Sequence, residues 1–284
     1  MSLQGLLALT RPVNAVAAGL GTPVGYLIAT GTITPAVLFL VAGAGLITAA
    51  GNAINDYYDA GIDRINRPDR PIPSGRVTPR GAFVLAVFLF LGGILACIPA
   101  GPLCLAIVLV NSLLLLLYAA RLKKVPLAGN LLVAYLSASL FLFGGALAGT
   151  AGAGRTLPLV LITFLAMMAR EILKGSEDLE GDRAFGAVTL PALIGVPRAS
   201  LLALSCASGA VLVSLLPAIP WWSPLYLGAI AVPDLLIAGG AARAVGCPDG
   251  PCVRSSRATT LLKAGMFLAL AVICGAAFSG GPGP

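Results

Sequence analysis

Stretches of about 20 mostly apolar residues alternate with polar connections along the whole chain. Nine such stretches fall at 12–30, 34–56, 81–100, 102–120, 127–149, 157–174, 198–219, 224–245 and 259–279. Each is long enough to cross the hydrocarbon core of a bilayer as a helix. The pattern therefore predicts an all-α integral membrane protein with nine transmembrane helices, forming a single domain over 1–284. Pro102 and Pro224 stand at helix starts, where proline is tolerated. Pro23 and Pro233 lie inside spans and are expected to kink them. Two connections, about 57–80 and 175–197, are long and polar, whereas others are only a few residues. The first apolar stretch follows a single arginine and runs as a full span, so no cleavable signal is expected.

Composition agrees with the pattern. Charged residues make up 10% of the 284 and hydrophobic ones 58%, with a mean hydropathy of +0.97. So few charges cannot cover a water-exposed surface. The 35 glycines and 21 prolines suit membrane helices, which approach closely at small residues. Histidine is absent, which removes Ser-His-Asp, Cys-His and His-zinc chemistry. Of the six cysteines, Cys97, Cys104, Cys206 and Cys274 read as small core residues. Cys247 and Cys252 bound the loop C-P-D-G-P-C, which fits two free thiols or a disulfide and offers too few ligands for a metal.

Charge fixes an expected orientation. Seventeen of the 18 Lys and Arg residues fall on one side of a nine-span threading, and Arg155 alone falls on the other. The positive-inside rule then places the N-terminus and the long polar connections in the cytoplasm, in a multi-pass cell-membrane protein with its C-terminus outside. Trp221 and Trp222 then belong to the outer interface.

The carboxylates point to chemistry. Nine of the 11 acidic residues lie in two short segments on the expected cytoplasmic face. The first reads N-D-Y-Y-D-A-G-I-D, where Asn55, Asp59 and Asp63 are spaced i, i+4, i+8 on one helical face. The second, R-E-I-L-K-G-S-E-D-L-E-G-D, aligns Glu171, Lys174, Asp178 and Asp182 in another stripe. A solvated loop face is the plain alternative. Carboxylates recurring at turn spacing after two separate spans fit it poorly. Oxygen donors without His or Cys select a hard cation, Mg²⁺ first. Arg64, Arg67 and Arg70 crowd the first segment, and cation plus guanidinium is a general way to hold a diphosphate. Asp234, inside the eighth span, is either functional or a partner for backbone freed by Pro233.

These motifs carry a family resemblance. N-D-x-x-D-x-x-x-D, R-P-D-R-P-I-P-S-G at 67–75, Y-x-x-x-x-K-K from Tyr118 to Lys124 and D-x-x-x-D at 178–182 together resemble the UbiA superfamily of intramembrane prenyltransferases. The likeness runs from L-T-R-P-V-N at 9–14 to the ninth span. It implies nine helices in a ring around a central cavity capped by cytoplasmic polar loops, and transfer of a polyprenyl group from its diphosphate with Mg²⁺ as cofactor. Carried onto this chain, it implies Asn55, Asp59, Asp63, Asp178 and Asp182 as metal ligands, the four aspartates also being catalytic. Arg67, Arg70, Lys123 and Lys124 would bind diphosphate; Lys174, Asn14 and Tyr118 would bind the acceptor, although Lys174 fits pairing with Glu171 and Asp178 equally well.

Residues 170–191 look most like the archaeal ether-lipid branch. There the donor is geranylgeranyl diphosphate and the acceptor is the hydroxyl of geranylgeranylglyceryl phosphate. An aromatic acceptor such as 4-hydroxybenzoate is the alternative, since that branch shares both aspartate motifs. The expected partners are thus a polyprenyl diphosphate, a lipid or aromatic acceptor and the bilayer, with no nucleic acid. CDP-alcohol phosphotransferases lack support, because their D-G-x-x-A-R signature is missing. A secondary transporter should carry its charges near the bilayer midplane, and here they gather at one face.

Overall fold

A computed structural model describes residues 2–184, 188–216 and 222–279. The elements are α1 (Leu3–Thr10), α2 (Pro12–Thr30), α3 (Val37–Asn66), α4 (Pro79–Ala96), α5 (Pro102–Ala120), α6 (Ala128–Ala146), α7 (Gly149–Glu177), α8 (Leu179–Ala184), α9 (Leu190–Ile194), α10 (Val196–Ser214), α11 (Pro224–Ala242), α12 (Gly250–Ser255) and α13 (Ala258–Ser279). Among the described residues there is no strand, and nine helices are long and apolar enough to span a bilayer. They correspond one to one with the nine stretches read from sequence. Trp221 lies outside the described residues; Trp222 is partly exposed.

Differences lie at the ends. The apolar run behind α3 stops near residue 56, yet the helix continues to Asn66. Its polar stripe keeps helical spacing, and partners beside it compensate the buried carboxylates. The sixth span starts at Gly149 rather than near 157 and passes through Pro158. The second acidic stripe is not one continuous helix, because α7 ends at Glu177 and α8 starts at Leu179, leaving Asp178 at the joint. The short helices α1, α8, α9 and α12 lie outside the nine apolar stretches, before the first of them or in the connections.

The helices gather into two compact units. The first comprises Met1–Tyr26, Ile33–Leu122 and Leu140–Ala153. Its core joins Leu40, Ile47 and Ile54 of α3 to Phe90 of α4, Cys104 and Val108 of α5 and Phe143 of α6. Ile72 and Val77 of the long polar connection are buried in the same core, so that connection is anchored by apolar side chains. Thr78 accepts a hydrogen bond from the Gly81 amide and starts α4 with Pro79 behind it, the usual N-cap economy. Close approach depends on glycine: a Cβ on Gly25 would collide with the Phe141 carbonyl, and one on Gly144 with that of Thr22.

The second unit comprises Leu27–Thr32, Lys123–Ser139 and Gly154–Pro284. Ile162 and Ala166 of α7 pack with Ala210 of α10 and Met266 of α13. The Arg155 guanidinium donates to the Ala29 carbonyl at 3.0 Å, so the end of α2 and the start of α7 meet, as the threading requires. Asp234 accepts from the Ser214 hydroxyl at 2.7 Å, and the Tyr226 hydroxyl donates to the Ser214 carbonyl at 2.9 Å. The intramembrane carboxylate thus links α10 to α11 through a neighbouring side chain, satisfying a polar group that lipid cannot. In unit one, α13 has no part; in unit two it packs along α11.

Candidate active site

The first acidic segment sits on the polar extension of α3. Asn55 donates to Asp59 at 2.9 Å, one turn apart as the spacing predicts. Asp63 is held by Arg70 at 2.6 Å. The same arginine reaches Asp56 at 3.4 Å, and Arg11 meets that carboxylate at 2.6 Å. Seven residues apart, Asp56 and Asp63 differ by only about 20° around a helix of 3.6 residues per turn, so one guanidinium can serve both. Both aspartates are buried, with only 4% and 5% exposure. Two buried like charges side by side are tolerable only with counter-charge between them. Arg70, from the connection, and Arg11, from the end of α1, supply it.

Arg11 reaches its place through an unusual backbone. It stands between α1 and α2 with φ 47°, in the left-handed region, uncommon for a residue with a Cβ. The Asn52 side chain donates to the Thr10 carbonyl at 3.1 Å, and the Ser2 amide donates to the Arg76 carbonyl at 3.0 Å. The short leader helix is therefore tied at both ends to α3 and the polar connection. Asp56 and Arg11 had no special role in the sequence reading. The signal for Asp56 was its place seven residues before Asp63; Arg11 was marked only as part of L-T-R-P-V-N, and nothing in that motif points to a partner 45 residues away.

The second acidic segment is built differently. Glu171 pairs with its neighbour Arg170 at 2.7 Å, and Lys174 makes no ion pair among the described residues. Asp178 is lightly held: Arg254 lies 3.5 Å away, and its side chain is 52% exposed. Arg254 also donates to the Glu177 carbonyl at 2.8 Å, and the Thr259 hydroxyl to the Glu177 carboxylate at 2.8 Å. Cys247 and Cys252 are joined by a disulfide in the turn before Arg254.

Of the other residues singled out by sequence, Arg67, Asn14 and Lys174 are exposed, and Lys123 and Tyr118 are partly buried. The side chains of Lys124, Asp182 and Arg183 lie outside the described residues. Among the described residues no group of three or more His, Cys, Asp or Glu is gathered as for a metal ion. Asn55, Asp59 and Asp63 of α3 offer only oxygen to a cation, the donor type that suits Mg²⁺.

The UbiA prenyltransferase family matches residues 15–270. The chain belongs to that family. A family member from Methanoculleus marisnigri, named digeranylgeranylglyceryl phosphate synthase, is 54% identical over 277 residues, 98% of this chain and 99% of the relative. A solved digeranylgeranylglyceryl phosphate synthase superposes with a TM-score of 0.87 at 32% identity, covering 98% of this chain and 99% of its own. The fold also matches a UbiA homolog from Archaeoglobus fulgidus bound to DMAPP and Mg²⁺, with a TM-score of 0.65 at 20% identity, over 94% of this chain and 98% of the other. The enzyme is a multi-pass membrane prenyltransferase.

Proposed function

We propose that this prenyltransferase moves the geranylgeranyl group of geranylgeranyl diphosphate to the free hydroxyl of geranylgeranylglyceryl phosphate, forming the second ether bond of an archaeal membrane lipid. The observation that carries this reading is the 54% identity to a digeranylgeranylglyceryl phosphate synthase across nearly the full length of both chains. The Mg²⁺ and prenyl diphosphate of the Archaeoglobus fulgidus homolog support a metal-dependent donor site.

Asn55, Asp59 and Asp63 on α3 would hold one Mg²⁺, and Asp178, at the α7–α8 joint, with Asp182 of α8 would hold a second. Bound Mg²⁺ supplies charge neutralisation that makes diphosphate a leaving group. Arg67, Arg70, Lys123 and Lys124 would carry the remaining phosphate charge. The apolar spans keep water from the allylic cation, which it would otherwise capture. With no histidine in the chain, the acceptor proton passes to a carboxylate, a tyrosine or the released diphosphate. Exposed Lys174, with Asn14 and Tyr118, would hold the acceptor, whose anionic head sits at the water edge. The N-terminus and both acidic segments would face the cytoplasm.

Metal removal and one substitution test the scheme. EDTA-stripped enzyme should lose transfer and regain it with Mg²⁺; full activity after stripping would remove the metal from the account. Lys174→Ala should raise the KM for the lipid acceptor by about tenfold and leave the donor KM unchanged, as expected when one substrate loses its anchor. An equal rise for both substrates would exclude that role.

A further inference from the structure

The turn between the last two spans does something that the reaction scheme leaves unused. Cys247 and Cys252 are bonded, with Cα atoms 5.4 Å apart. Between them Asp249 accepts from the Cys252 amide at 2.9 Å and caps α12. Gly250 is pressed on the end of α7: a Cβ there would come within 2.5 Å of the Ser176 carbonyl oxygen and 3.3 Å of that of Glu177. Only glycine permits that approach. One turn later Arg254 caps α7 through the Glu177 carbonyl and faces Asp178. Thr259, at the start of α13, takes the Glu177 carboxylate. Two adjacent residues at the α7–α8 joint are thereby gripped from three points.

We propose that Arg254, carried by this disulfide-closed turn, is a positioning residue that sets the direction of Asp178. A helix end has orphan carbonyls and frays unless they find donors. Here the fraying end would be the one from which Asp178 projects. The contact energy itself is small. The Arg254 side chain is 66% exposed and its 3.5 Å approach to Asp178 is loose, and exposed ion pairs contribute little to stability. What the arginine contributes is geometry, leaving the Asp178 carboxylate oriented yet open. This inference rests on the proposed metal-holding role of Asp178.

The test uses the full-length protein in lipid nanodiscs and two readouts. In Arg254→Ala, hydrogen exchange of the 178–184 amides should quicken by at least about tenfold, the signature of local opening, while that of 160–170 stays as in the wild type. The Mg²⁺ concentration for half-maximal transfer should rise by about tenfold, the scale seen on losing a residue that orients a metal ligand, with kcat at saturating Mg²⁺ within about twofold of wild type. Arg254→Lys, which keeps a donor, should recover part of both effects. The double variant Cys247→Ser, Cys252→Ser should shift both readouts in the same direction. Unchanged exchange in Arg254→Ala would overturn the brace whatever the activity. Faster exchange with an unchanged Mg²⁺ requirement would overturn the positioning role. A wild-type enzyme without Mg²⁺-dependent transfer would instead overturn the proposed function, while exchange still reads the brace.

Discussion

Asp56 shows how a single residue can matter through its ion pairs alone. It is nearly sealed from solvent and shared by Arg11 and Arg70. Breaking a buried ion pair from one side leaves uncompensated charge. Asp56→Ala should therefore cost about 3 kcal/mol, the low end of the range for such losses because Arg11 retains some solvent, read as lowered thermal stability in detergent. A loss under about 0.5 kcal/mol, the level of an ordinary surface change, would show the network to be incidental. Asp59→Ala and Asp182→Ala should behave in the opposite way. Each should lower kcat by about 100-fold or more, as when a preorganised electrostatic group is removed, with the fold intact by circular dichroism. A variant keeping half its activity would leave the site. The Asn55–Asp59 contact was legible because helical spacing alone produces it. Arg11 and Arg254 were not, because their partners lie 45 and 77 residues away, and only the packed fold brings them together.

At the scale of elements, apolar runs located every span, and proline, glycine and cap residues located several starts. The pattern reads α5 as 102–120, and the helix observed is Pro102–Ala120. It failed where polar residues continue a helix beyond the apolar run, as in the last turns of α3, because hydropathy records burial in lipid and not hydrogen bonding along the backbone. Elements too short to span, such as α12, leave no periodic trace at all. The glycines of α2 and α6 gave only a general signal of close packing, and their pairing needed the structure. Because Gly25 meets the backbone of Phe141 rather than a movable side chain, relief requires the helices to part. Gly25→Ala should cost about 3 kcal/mol, the upper end for overpacking, measured as a lower midpoint of thermal unfolding in detergent. An unchanged midpoint would show that α2 and α6 separate freely.

The whole molecule is a membrane enzyme whose basic residues fall almost entirely on one side of its threading. That one-sidedness predicts a cytoplasmic N-terminus and an outer C-terminus. Cysteines introduced into a cysteine-free variant at Ser2 and Ser279 should react with an impermeant thiol reagent from opposite sides of sealed vesicles; labelling from the same side would contradict the odd number of spans. The nine spans found among the described residues, both acidic segments and the family were legible in the sequence, since each rests on local pattern. How the buried carboxylates are neutralised was not, since that rests on tertiary contacts. A one-pot competition tests the acceptor directly. Purified enzyme in nanodiscs with Mg²⁺ receives labelled geranylgeranyl diphosphate together with geranylgeranylglyceryl phosphate and 4-hydroxybenzoate, and the products are separated by mass spectrometry. Digeranylgeranylglyceryl phosphate is expected in at least about tenfold excess, or roughly 1.4 kcal/mol of transition-state preference. Predominant prenylated hydroxybenzoate would contradict it.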